Sequence, residues 1–197
     1  MTRQSVLTVL TVCSGNIARS PLMALLLADR LGPAVEVSSA GTIAIAGEPM
    51  TDEAQAVARR LGVDGSHHRS RPLSNDLIAG ADLVLVATRE HRADVARLEP
   101  IASRRTFTLR EFARLAPTVD AETLDGLAPG AERGPELVRA VAARRGIVVP
   151  LTQPSDDDLD DPFRQAESVY DRVGSEIDKA VATLVAMMAP ADGARAQ

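Results

Sequence analysis

The sequence predicts an α/β fold: three layers, with a four-stranded parallel sheet flanked by helices. Three observations predict it. Apolar runs of strand length alternate along the chain with segments of helical period. The first run is apolar and β-branched almost throughout, as in a strand buried on both faces. That run passes into a loop of small residues closed by Ser20-Pro21. Proline suits a first helical turn, where its missing N–H costs nothing.

Residues 5–12 read as the first strand, and Leu22, Leu25, Leu26 and Leu31 give the helix after Pro21 an apolar face. Residues 35–39 follow as strand two. Residues 51–61 are helical, with Ala54, Val57, Ala58 and Leu61 on one side. Residues 82–87 form a buried strand, 90–98 a helix and 105–109 a short strand. A Pro/Gly-containing segment, 127–135, precedes residues 136–145, where Leu137, Val138, Val141 and Ala142 are in helical register. The last helix carries Val169, Val173, Ile177, Val181, Leu184, Val185 and Met188 as a core stripe. Residues 190–197 read as a flexible tail. The chain is expected to form a single domain over 1–189, with 114–155 inserted as a loop and short helix near the mouth of the site.

Composition narrows the function classes. With 197 residues, 45% hydrophobic and 25% charged, the chain can bury an ordinary globular core. A net charge of −5 argues against a broad nucleic-acid surface. No apolar run approaches membrane-spanning length, so no membrane insertion is expected. One cysteine fits a reducing, cytoplasmic setting. One Cys and three His lack ligand spacing, so neither a metal nor another cofactor is expected. The pairs Arg104-Arg105 and Arg144-Arg145 are expected to be solvated ends of elements.

The single cysteine lies in Val12-Cys13-Ser14-Gly15-Asn16-Ile17-Ala18-Arg19-Ser20-Pro21. A loop between a strand end and a helix N-terminus offers free backbone N–H groups and the positive end of a helix dipole. Both favour a bound oxyanion and the thiolate of Cys13. The amides of Ser14, Gly15, Asn16, Ile17, Ala18, Arg19 and Ser20 are candidates to bind phosphate. Gly15 allows close approach and positive φ, and Asn16 tolerates the left-handed region. The Arg19 guanidinium matches two phosphate oxygens at once. Ser20 can donate to the Cys13 sulfur. A nucleotide-binding P-loop is excluded because no Gly-Lys-Ser/Thr follows.

This loop resembles the signature of the low-molecular-weight protein tyrosine phosphatases, and the chain looks like a bacterial member. Three further stretches resemble that family in order: Ser39-Ala40-Gly41-Thr42, His68-Arg69-Ser70-Arg71 and Asp161-Pro162-Phe163. The resemblance implies a phosphocysteine mechanism. Cys13 is then the nucleophile, Arg19 the phosphate clamp and Asp161 the general acid and base, with Asp160 the alternative acid. Ser39 and His68 support the loop at Asn16, with His67 the alternative histidine. Ile45 or a neighbour and Phe163 form the walls for a phosphotyrosine ring, and Arg164 stands at the rim. The implied substrate is a phosphotyrosine protein, with a tyrosine kinase of polysaccharide export among the candidates. Where many relatives carry a second loop cysteine this chain has Ala18, so no internal disulfide can rescue an oxidised Cys13. Two rival functions share the loop chemistry: an oxyanion- or phosphoprotein-binding module with little turnover, and an arsenate reductase-like protein. The latter needs a relay of three cysteines, and this chain has one.

Overall fold

A computed structural model describes residues 7–127 and 133–188. Four parallel strands form one sheet in the order β2-β1-β3-β4. They are β1 (Leu7–Cys13), β2 (Val35–Gly41), β3 (Leu83–Val86) and β4 (Thr106–Thr108). The chain runs outward from β1 in both directions. The gap between the β1 and β3 connections is therefore a switch point at the carboxyl ends of the strands, where open α/β sheets bind ligands. Cys13 is the last residue of β1 and pairs with Gly41 at the end of β2.

Strand alternation divides the core between two faces. Leu7, Val9 and Cys13 of β1 and Leu83 and Leu85 of β3 share one cluster with α1 (Arg19–Leu31), α5 (Leu109–Leu115), α7 (Arg133–Ala143) and α8 (Glu167–Met188). Leu10, Val12, Val84 and Val86 face the other way. They meet Ile78 of α3 (Asn75–Ala79) and Val95 of α4 (Arg89–Leu98). Helix α2 (Asp52–Arg60) packs on α8 and α1, and α6 (Ala121–Asp125) precedes α7. Local chemistry sets the helix starts. Thr51, Ser74, Thr88, Thr108 and Asp120 each accept a backbone N–H of the first turn of the helix they precede. At α5, Thr108 and Glu111 complete a reciprocal capping box.

The helix expected near the site mouth starts elsewhere. A Cβ on Gly134, in the first turn of α7, would stand 2.8 Å from the Leu7 side chain. Leu7 begins β1, so α7 starts at the strand end opposite Cys13. Leu137, Val138 and Val141 are buried in the main core. Arg104 is exposed as expected, but one arginine of each pair departs from expectation. Arg105 donates to Ala81 O at 2.7 Å, and the Arg145 guanidinium covers the Phe107 ring at 3.9 Å. Each reaches acceptors brought from distant chain segments. The expected tail, 190–197, lies outside the described residues. Among the described residues, no helix is long and apolar enough to cross a membrane.

Candidate active site

The loop from Cys13 to Arg19 wraps around the N-terminus of α1. Four of its carbonyls are taken up by donors from outside the loop. Thr42 N donates to Cys13 O at 2.9 Å, Ile43 N to Ser14 O at 3.0 Å and Thr51 N to Ile17 O at 3.0 Å. The His68 ring Nε2 donates to Asn16 O at 2.7 Å. Among the described residues, no hydrogen bond uses the N–H of Ser14, Gly15, Asn16, Ile17 or Ala18. With the acceptors committed outward, the loop is left as a row of donors, the arrangement that suits an oxyanion.

Of the two loop residues suited to positive φ, Gly15 and Asn16, it is Asn16 that adopts it (55°). Asn16 is fully buried, and its side chain organises the loop. Its Nδ2 donates to Ser20 Oγ and to Ser39 Oγ, each at 2.9 Å, and its Oδ1 accepts Arg71 N at 3.0 Å. The needed glycine is Gly41, behind the loop. A Cβ there would lie 2.4 Å from Ser14 O and 2.9 Å from Asn16 N, so only glycine fits.

Cys13 is 2% exposed, and its Sγ lies 3.0 Å from Ser20 Oγ. Ser20 Oγ accepts from Asn16, and its one proton has two acceptors in reach, the Cys13 sulfur and Ala40 O at 3.3 Å; directed at the sulfur, it would stabilise a thiolate. Arg19 is 4% exposed. It donates from Nη1 to Leu159 O at 3.2 Å, and its Nη2 lies 3.1 Å from Asp161 Oδ1. The sequence-distant acid and the loop arginine are thus in contact. Asp160 turns the other way and pairs with Arg172 at 2.8 Å. His67 is exposed, whereas His68 reaches the loop. Burial lowers the affinity of His68 for a proton, and the nearby Arg69 and Arg71 lower it further.

Ile45 is 72% exposed and Phe163 42% exposed, with Ile43 between β2 and Ile45 even more open. The Arg164 guanidinium sits 5.0 Å from the Phe163 ring centre, and Arg164 itself has φ 61°.

One site residue escaped the sequence reading. His91 Nε2 lies 2.9 Å from Ser14 Oγ, and Nδ1 lies 2.7 Å from Thr88 Oγ1. Thr88 Oγ1 already accepts His91 N at 3.4 Å, which leaves its hydroxyl proton for Nδ1. Nε2 then carries the ring proton and donates to Ser14. Burial, reinforced by the Arg19 charge, pushes the pKa of His91 down to about 4, so the ring is neutral near pH 7. The only signal in the sequence was Thr88-x-x-His91, an N-cap and its third residue, which says nothing about Ser14.

A buried cysteine, a guanidinium and a cradle of amides at one strand-to-helix turn define a class of enzyme that works on oxyanions through sulfur. The chain matches the sequence profile described as low molecular weight phosphotyrosine protein phosphatase over residues 8–144, and it belongs to that family. It is 38% identical over 104 residues to a protein-arginine-phosphatase of Geobacillus stearothermophilus, covering 53% of this chain and 70% of that one. It is 37% identical over 105 residues to the low molecular weight protein-tyrosine-phosphatase Etp of Escherichia coli K12, covering 53% and 70%. Among solved structures it resembles the YwlE arginine phosphatase of Geobacillus stearothermophilus. The TM-score is 0.67 at 27% identity, over 91% of each chain.

Proposed function

We propose that this enzyme hydrolyses phosphotyrosine in proteins through a phosphocysteine on Cys13. The observation that carries the reading is the convergence on one loop of Cys13 Sγ, the Ser20 hydroxyl, the Arg19 guanidinium and the Asp161 carboxylate. The thiolate attacks phosphorus in line, the bond to the leaving oxygen breaks, and Asp161 protonates that oxygen. Asp161 then takes a proton from water as the water attacks phosphorus. The sulfur–phosphorus bond breaks, and inorganic phosphate and the thiolate are released. The loop amides from Ser14 to Ser20 and the Arg19 fork hold the equatorial oxygens as charge builds on them. Ser39 and His68 hold the loop and take no part in the chemistry. The profile match ends before Asp161, so its role rests on the contact with Arg19 and on Asp160 being engaged by Arg172.

The same reading makes residues 1–189 one phosphatase domain working in the cytoplasm, where a lone thiol stays reduced. Exposed Ile45 and the Phe163 ring offer an aliphatic and an aromatic wall to a phosphotyrosyl ring. A tyrosine kinase of polysaccharide export is the candidate protein substrate that the family resemblance supplies.

The test is turnover of p-nitrophenyl phosphate, a phosphotyrosine peptide and a phosphoarginine peptide by wild type and Cys13→Ala, with orthovanadate as inhibitor. The reading predicts Cys13-dependent, vanadate-sensitive turnover of the first two. Turnover of phosphoarginine without phosphotyrosine would overturn the substrate and leave the sulfur chemistry standing. No turnover of any, by folded protein, would overturn both.

A further inference from the structure

A cavity of about 280 Å³ lies behind the segment that carries Asp161. Four guanidinium groups line it, from Arg89, Arg92, Arg114 and Arg145. Two carboxylates line it with them, Glu111 and Asp157, and a third, Asp158, is clamped by Arg89 just outside the lining. Glu111 is held by Arg92 at 2.9 Å and by Arg145 at 2.9 Å. Asp157 is held by Arg114 through two bonds, of 3.0 and 2.6 Å. Asp158 accepts both the backbone N–H of Arg89, at 2.7 Å, and its side chain. Four cations against three anions leave one surplus positive charge in a protein whose net charge is −5.

The surplus falls on Arg92. Among the described residues its one hydrogen bond runs from Nη1 to Glu111, so one edge of its planar fork stays uncommitted. Arg145, by contrast, is used up by Glu111, two carbonyls and the Phe107 face. The opposite wall is apolar: Val148, Pro150 and Leu151, from the segment after α7. A guanidinium edge facing an apolar wall suits a ligand with an anionic head and an apolar body.

We infer that this cavity is a second binding site, for a small organic oxyanion, whose occupancy slows catalysis. The route is covalent and short. Asp157 and Asp158 anchor the chain that runs on to Leu159, whose N–H bonds Ala87 O at 2.9 Å and whose carbonyl accepts Arg19. Asp161 follows two residues later. An anion that competes for Arg114 and Arg89 frees Asp157 and Asp158 from their clamps. The acid segment then spends less time against Arg19.

The probe is phenylphosphonate, with inorganic phosphate as the head-only comparison. Wild type is first alkylated with iodoacetate at Cys13, the single cysteine, checked by loss of p-nitrophenyl phosphate turnover, so that the Cys13 loop is blocked. Calorimetry should then show one further site, tighter for phenylphosphonate than for phosphate. Arg92→Gln and Pro150→Glu should each weaken it about tenfold, the effect of losing one charge-assisted hydrogen bond or of adding a like charge. In separate turnover assays, phenylphosphonate should lower kcat of wild type, which simple competition at Cys13 cannot do, and should leave kcat of both variants unchanged. No residual binding after alkylation, or equal binding by both variants, would overturn the site. Binding without a fall in kcat would overturn the coupling. The kcat arm rests on the phosphatase reading and the calorimetric arm does not. A failure of the second site with vanadate-sensitive turnover intact therefore leaves that reading untouched.

Discussion

Ser14 Oγ and His91 Nε2 are 2.9 Å apart and join the phosphate loop to helix α4. Ser14 Oγ also receives Arg19 Nη2 at 3.4 Å. With His91 and Arg19 both donating, the Ser14 hydroxyl proton is left to point at an oxyanion in the loop. His91 is therefore a positioning residue that acts through Ser14. Ser14→Ala and His91→Ala should each lower kcat/KM about tenfold, the scale of one hydrogen bond to a charged group. The double variant should lose no more than either alone. Multiplied losses in that cycle would show that the two residues act separately.

His91 also makes stability depend on pH. Its folded pKa of about 4 lies below the unfolded value near 6.5. Between those values the unfolded chain binds a proton that the fold does not, so stability is complete above about pH 6.5 and falls as pH drops toward 4. The loss from this group is on the order of 3 kcal/mol. Urea unfolding at stepped pH should show a shallower acid decline for His91→Gln than for wild type.

Gly41→Ala should be costly although it adds only a methyl group. The new Cβ would meet Ser14 O at 2.4 Å, and this neighbour is backbone. Overpacking of this kind costs about 1–3 kcal/mol, and here the strain falls on the loop that binds phosphate. Thermal unfolding should report the stability loss, and vanadate affinity should fall with it.

The two adjacent acids should separate cleanly. Asp161→Asn should lower kcat on a phosphotyrosine peptide about 100-fold or more, as loss of a general acid does. Asp160→Asn removes only an exposed pair with Arg172 and should change kcat by less than about twofold. Vanadate affinity, which needs no proton transfer, is the control for loop integrity.

The sequence disclosed what is local. The β1 run, the Cys13 loop and the α8 stripe were legible because strand burial and helical period repeat within a few residues. The helices α3, α5 and α6 span five to seven residues and are too short to show a period. Residues 105–109 read as one strand, yet β4 ends at Thr108, which caps α5. Thr108-x-x-Glu111 held the clue, a capping box at that boundary. The roles of His91, Arg105 and Arg145 were not legible, because their partners come from other layers of the fold. Arg145 reaches Glu111 and the Phe107 ring, contacts that only the packing of β4, α5 and α7 creates. The position of α7 was missed for the same reason. Its apolar register foretold burial but not which end of the sheet it covers.

The central claim is that phosphate passes through the sulfur of Cys13. Rapid acid quench of Asp161→Asn with p-nitrophenyl phosphate, followed by peptide mass spectrometry, tests it most directly. The substrate's good leaving group needs no acid, whereas hydrolysis of the intermediate still needs the base. The account predicts a phosphoryl adduct that accumulates within one turnover on the peptide containing Cys13, and its absence from Cys13→Ala. Turnover with no adduct on Cys13, or an adduct that persists in Cys13→Ala, would contradict it.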